Sequence, residues 1–291
     1  MGWFSLAALL IALAAAVFVG LRLYRRGFLQ PVGRASLDER IDVLRTHTRI
    51  HVPDGDGPFP AVILLHGCGG IRPNMEVYAR LAAGMGVMAF VPDSLGPRGI
   101  SYEEAVETVC TGARLRAHER TGDLHAVLEL MRRDPRVDTR RLALAGWSHG
   151  SWTALEALAL DRAGERPASL DSVPPRGLDG VRAVFAMYPY NSFPARSRRL
   201  PWPPDIPVEG VLVHEDTICD DADSVEVFKR QIAWGNDVRW RYVANATHGF
   251  DEPDHHPTST LVYDPERAAV AHRLFTDFLK RHLGDNHGSE D

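Results

Sequence analysis

Cysteine is scarce in this chain, three among 291 residues, too few for a disulfide framework. A surplus of positive charge is also missing. Lys and Arg number 33 against 38 Asp and Glu, a formal net charge of −5, and the sequence pI is about 6.2, which excludes a dedicated nucleic-acid binder built on a basic face. There is no internal repeat. The His-Glu-x-x-His spacing that sets two imidazoles on one helical face around a metal is absent, and His255-His256 falls in a Pro-rich polar loop, so no metal site is expected. What is present, 45% hydrophobic and 24% charged residues, excludes wholesale disorder and suffices for a buried sheet.

Charge is missing again at the amino end. From Trp3 to Leu21 no residue is charged, a run of about 28 Å as a helix, close to the ~30 Å hydrocarbon thickness of a bilayer. Arg22, Arg25 and Arg26 follow at once, with Trp3 and Tyr24 placed like interfacial aromatics. The pattern predicts one N-terminal transmembrane helix over residues 3–21, within an anchor and juxtamembrane linker spanning 1–30. A cleaved signal peptide and a buried core helix are the alternatives, but a signal peptide usually carries its basic residues before the apolar run. By the positive-inside rule the arginines put everything after residue 26 in the cytoplasm; signal cleavage would instead mean export.

Residues 31–284 read as one α/β domain, and 285–291 as a polar tail. Residues 43–51 alternate and predict an edge or antiparallel strand, while 60–66 and 87–92 are short apolar runs suited to strands covered on both faces. Helical spacing follows over 74–84 and 119–134. Strand 141–146, helix 150–161, strand 181–187, strand 208–213, helix 222–234, strand 237–243 and helix 265–283 complete the series. Alternation of this kind implies a mainly parallel sheet with helices on both faces. The stretch 192–207 holds five prolines and no periodicity; it reads as a surface loop, either a plain connector or a pocket wall.

The chemistry centres on Gly146-Trp147-Ser148-His149-Gly150. A Gly-x-Ser-x-Gly match is weak alone. Here it follows an apolar strand and opens a helix, the tight turn that thrusts a serine outward. A serine hydroxyl needs a base, and His248 stands in a loop just past strand 237–243. Its bland alternative is one surface histidine among 13. The acid should follow strand 208–213, where Asp216 is the first aspartate. Asp220 is the next candidate, although Asp220, Asp221 and Asp223 also suit the solvated start of a helix. After strand 60–66, Gly67-Cys68-Gly69-Gly70 can form an oxyanion loop, with the N–H of Cys68 (Gly67 next) paired with that of His149. Cys68 as nucleophile is the rival reading, disfavoured because it does not sit on a turn entering a helix. Cys110 and Cys219 read as buried or half-buried thiols, with a disulfide between those two left open.

The segments Leu64–Gly70, Val91–Ile100, Gly146–Gly150 and Asn245–Asp251, with the helix Arg120–Leu130, resemble the dienelactone hydrolase family over roughly residues 45–283. The resemblance implies an α/β-hydrolase fold without a large lid and cofactor-free hydrolysis of esters or lactones. Founding members use a cysteine nucleophile, whereas Ser148 stands here, as in many relatives; the segment around Asp216 also lacks the glycine and proline usual there. The expected reaction is acyl transfer on a Ser148–His248–Asp216 triad with a small-molecule ester or lactone. Arg98 could clamp a substrate carboxylate or tie down its own loop; Tyr188 or Tyr190 could face the substrate, and His149 could cover the pocket wall. An acyltransferase or peptidase on the same triad, and a catalytically silent membrane-tethered binding module, are the competing readings.

Overall fold

The computed structural model describes residues 3–25, 31–214, 216–253, 256–257, 259 and 261–284. The expected polar tail, 285–291, lies outside them, as do 26–30 of the expected linker. A first helix, α1 (Trp3–Arg25), is followed by α2 (Leu37–Arg45), β1 (Thr48–His51), β2 (Phe59–Leu65), α3 (Pro73–Gly84) and β3 (Met88–Pro92). Then come α4 (Tyr102–Thr108), α5 (Ala117–Arg133), β4 (Val137–Trp147), α6 (His149–Ala163) and β5 (Val181–Met187). The series closes with β6 (Val208–Val213), α7 (Asp221–Ala233), β7 (Val238–Val243) and α8 (Pro265–Leu283).

The seven strands form one sheet in the order β1-β3-β2-β4-β5-β6-β7, with β1 antiparallel to β3 and the other pairings parallel. Alternate residues of each inner strand feed two cores. Leu142 and Leu144 of β4, with Val184 and Ala186 of β5, join side chains from α2, α5, α6 and α7. Ala143, Ala145 and Trp147, with Phe185 and Met187, join α3 and α8. Two-sided burial is why these strands are apolar throughout rather than alternating. Parallel strands bring their carboxyl ends to one edge, and that edge carries Leu65, Trp147, Met187, Val213 and Val243.

Helix starts are set by local chemistry. Ser36 and Glu39 form a reciprocal capping box that opens α2, Asp220 accepts the Ala222 N–H at the start of α7, and Asp264 caps α8 with Pro265 in its first turn.

One expectation is corrected and another in part. Residues 43–51 are not one strand: the capping box carries a helix to Arg45, Ile41 and Leu44 bury against the core, and only Thr48–His51 is extended. The stretch 192–207 is a loop with Phe193 exposed, and it is not among the residues lining the cleft, but part of it is buried. Its Trp202 is buried against Phe228, and the buried Glu156 carboxylate accepts the N–H groups of Arg196 and Ser197, each at 3.0 Å. As for the expected membrane span, α1 is helical, but among the described residues no helix is long and apolar enough to cross a membrane. The side chains of α1 are described over 7–22, about 24 Å of helix.

Candidate active site

Ser148 sits between β4 and α6 with φ 53° and ψ −113°, a conformation L-residues avoid. The surroundings impose it. Its N–H donates to the Met187 carbonyl and its carbonyl accepts from the Trp152 N–H, both at 3.0 Å. The flanking glycines are sterically required: a Cβ on Gly146 would collide with the Gly150 and Ser151 backbone, and one on Gly150 with the Leu65 carbonyl. The motif therefore lets α6 start tight against β2.

The structure brings together the three residues singled out for catalysis. Ser148 Oγ lies 3.0 Å from His248 Nε2, and His248 Nδ1 lies 2.7 Å from Asp216 Oδ2. The other Asp216 oxygen accepts the N–H groups of Ile218 and Cys219, each at 2.9 Å, which fixes the carboxylate. With that carboxylate on Nδ1, the proton sits there and Nε2 is left to accept from the hydroxyl. The other two aspartates are used elsewhere. Asp220 caps α7, and Asp221 accepts the Tyr242 hydroxyl at 2.8 Å.

Asp251, three residues past the histidine, anchors that loop. Its buried carboxylate accepts from Tyr188 Oη at 2.6 Å, Tyr78 Oη at 2.8 Å and Trp147 Nε1 at 3.0 Å, joining α3 with the ends of β4 and β5. Burial, with Asp251 beside them, pushes both tyrosine hydroxyls well above their ordinary pKa, so they remain donors. Tyr188 thus reaches the cleft with its ring, 4.5 Å from that of His248, while its hydroxyl is committed to Asp251. Tyr190 also lines the cleft, its hydroxyl donating to the Phe193 carbonyl at 2.5 Å.

Gly67, Cys68, Gly69 and Gly70 line the same cleft, as do Ser148, His149 and His248; its volume is about 350 Å³. A Cβ at Gly67 would lie 3.9 Å from Ser148 Cβ, so the loop runs directly over the nucleophile. His149 opens α6, where an amide has no acceptor within the helix. Its side chain is wall: Nδ1 accepts from Arg120 Nη1 at 3.1 Å, the ring faces the Leu115 carbonyl, and burial followed by Arg120 lowers its pKa to about 3.

The cysteines pair differently from the expectation. Cys68 and Cys110 form a disulfide joining the loop after β2 to the segment after α4, and Cys219 is free and buried. Its sulfur lies 3.7 Å from Ser148 Oγ, and burial, then Asp216, pushes its pKa well up. It is an uncharged neighbour of the serine.

Arg98 is corrected from a substrate clamp to a structural tie. Its guanidinium donates to both oxygens of the fully buried Asp123, at 2.9 and 3.0 Å, and to the Ser94 carbonyl at 2.8 Å; it is not among the residues lining the cleft. Sequence reasoning missed its partner Asp123 and the neighbouring Arg120, both buried on α5. Arg120 donates to the His66 carbonyl at 2.8 Å and to Ser94 Oγ at 3.0 Å, holding the root of the Gly67–Gly70 loop; burial lowers its pKa to about 10. No local signal set them apart, because α5 also carries Glu119, Glu129, Arg132 and Arg133. Among the described residues no cluster of His, Cys, Asp or Glu could hold a metal ion.

Against known proteins, the model of the Dienelactone hydrolase family matches residues 46–283. Dienelactone hydrolase from Anabaena variabilis is 18% identical, covering 81% of this chain and 91% of its own, with a TM-score of 0.53. A dienelactone hydrolase-like promiscuous phosphotriesterase from metagenomic libraries is 19% identical over 81% and 92%, TM-score 0.57. Esterase 2 of Thermogutta terrifontis, in a structure phosphonylated by cyclosarin, is 13% identical over 80% and 88%, TM-score 0.62. At such identities the structural likeness is one of fold. No curated protein matched.

Proposed function

Because the chain belongs to the dienelactone hydrolase family, we propose that it hydrolyses a carboxylic ester or lactone through an acyl-enzyme, with Ser148 as nucleophile. His248 takes the hydroxyl proton as Oγ attacks the carbonyl carbon. Asp216 holds the imidazole in the tautomer that accepts at Nε2 and stabilises the imidazolium. The oxyanion is received by the N–H groups of Cys68 and His149, each worth about 3 kcal/mol in the transition state. Protonated His248 then returns its proton to the leaving alcohol, and water repeats the attack on the acyl-enzyme. The observation that carries this reading is the Ser148–His248–Asp216 chain, with links of 3.0 and 2.7 Å, opening on a cleft. In Ser148→Ala, hydrolysis of a short aryl ester should fall by about 10⁴-fold or more while the fold persists; turnover within tenfold of wild type would sink the nucleophile assignment. Water against alcohol or amine acceptors separates hydrolase from acyltransferase and peptidase.

We further propose that α1, in residues 1–30, tethers the domain of residues 31–284 to a membrane. Support comes from the uncharged run Trp3–Leu21 and from exposed apolar side chains such as Leu9, Ile11, Leu13 and Phe18, which water would not favour. The side of the membrane is set by two opposing considerations. Arginines after the run favour the cytoplasm, whereas a disulfide such as Cys68–Cys110 persists in oxidising compartments. The covalent link is the stronger constraint, because the charge rule has exceptions, and we assign the domain to the oxidising side. Protection of both thiols from alkylation in intact cells until a reductant is added supports this side; immediate alkylation of both puts the domain in the cytoplasm.

A further inference from the structure

We infer that the cleft selects uncharged esters and rejects those carrying a carboxylate or an ammonium group on the acyl chain; this rests on the hydrolase reading above. Charge is the discriminating property, because a charged substituent loses its hydration on entry and must find a counter-charge inside.

The first observation concerns cations. A carboxylate-bearing substrate needs a free guanidinium or ammonium. Arg98, which lies near enough in sequence to the Gly67–Gly70 loop to suggest itself, has its guanidinium spent on Asp123 and the Ser94 carbonyl. Arg120 is fully buried behind the loop, directed at His66, Ser94 and His149. Among the described lining residues the one arginine is Arg72, and its Nε lies 2.9 Å from the carboxylate of Glu252, which lines the same cleft. The Arg72 guanidinium also stands 5.6 Å from the Tyr102 ring centre. A second carboxylate brought to this pair meets Glu252 first in competition, and a second cation meets Arg72.

The second observation concerns the walls. Among the described residues the side chains flanking the triad are uncharged: Cys219 is a buried thiol, His149 is held neutral, and the Tyr188 hydroxyl is engaged by Asp251. The lip is apolar, with Val106 on α4 43% exposed and Ile218 49% exposed. Both line the cleft, as does Leu261. A cavity of about 350 Å³ lies at the small end of the range for small-molecule sites. Together the walls fit an aliphatic or aromatic ester of modest size without ionised substituents.

Three phenyl esters of equal chain length test this on the full chain in detergent: phenyl hexanoate, phenyl hydrogen adipate with its terminal carboxylate, and phenyl 6-(trimethylammonio)hexanoate. Phenol release gives kcat/KM at low ionic strength, and a fluorophosphonate titration gives the concentration of reactive serine. The expected result is about tenfold or greater preference for the hexanoate over each charged analogue. A charged analogue equal to or better than the hexanoate overturns the selectivity and leaves the hydrolase reading intact. Failure of all three esters together with an unlabelled Ser148 removes the hydrolase reading, and the selectivity with it.

Discussion

Ser148 holds a backbone conformation that costs about 1–3 kcal/mol for a non-glycine residue, and the fold sustains it through the Met187 and Trp152 hydrogen bonds. The outcome is a hydroxyl aimed at His248 rather than folded back onto its own helix. In the proposed triad Asp216 orients that imidazole through Nδ1. Asp216→Asn, nearly isosteric, keeps an acceptor for the Ile218 and Cys219 amides but presents an amide to Nδ1, favouring the wrong tautomer. It should lower kcat by about 10³–10⁴-fold with little change in Tm. Asp220→Asn, by contrast, keeps a good helix cap and should leave kcat within twofold; steady-state kinetics with a thermal melt for each variant decides between them. Loss of activity in Asp220→Asn but not Asp216→Asn would move the acid to Asp220.

At the level of elements, the Cys68–Cys110 link closes a loop of sequence separation 42 across the lip of the cleft. The chain-entropy argument gives about 4 kcal/mol for a loop of that length. Cys110→Ala should therefore lower the unfolding free energy by a few kcal/mol, and KM should rise more than kcat falls as α4 loosens around the cleft; denaturant titration and kinetics measure both. Unchanged stability under oxidising conditions would mean the bond does not form. The pairing was not legible in the sequence, because nothing local says that the loop after β2 meets the segment after α4. The inner parallel strands were legible because two-sided burial leaves continuous apolar runs such as Val62–Leu65 and Leu142–Ala145, and the edge strand β7 by its alternation instead. Helix α2 was hidden by the alternation of 43–51, although Ser36 and Glu39 spelled a capping box three residues apart. Helix α4 is short, and Ser101, whose hydroxyl accepts the Glu104 N–H at 3.2 Å, was its available signal. Ser148 and His248 could be read because turn chemistry and chain order constrain them. Arg120 and Asp123 could not, because a charge inside a helix declares neither the face it occupies nor its partner.

At the scale of the whole molecule, three core histidines, His66, His125 and His149, are buried in neutral form. Burial lowers the pKa of His125 to about 4 and of His149 to about 3, in each case with a nearby arginine adding to the effect; His66 is held well below its usual value by the same causes. Each binds a proton more readily when unfolded, near pH 6.5, than when folded. Stability is then fully present above about pH 6.5 and is lost as pH falls toward 4, by up to about 1.4 kcal/mol per pH unit for each such group. Thermal melts between pH 7.5 and 4.5 should show Tm falling steadily below pH 6.5, and a flat profile over that range would contradict the neutral burial of these rings.

The central claim is that Ser148 is the nucleophile and His248 its base. Fluorophosphonate labelling followed by intact-protein mass and peptide mapping tests it most directly, because the reagent is attacked by an activated serine hydroxyl. A single adduct on the peptide carrying Ser148 is expected in the wild type, none in Ser148→Ala, and labelling slower by about 100-fold or more in His248→Ala. An adduct on another residue, or labelling of Ser148→Ala at the wild-type rate, would contradict the assignment.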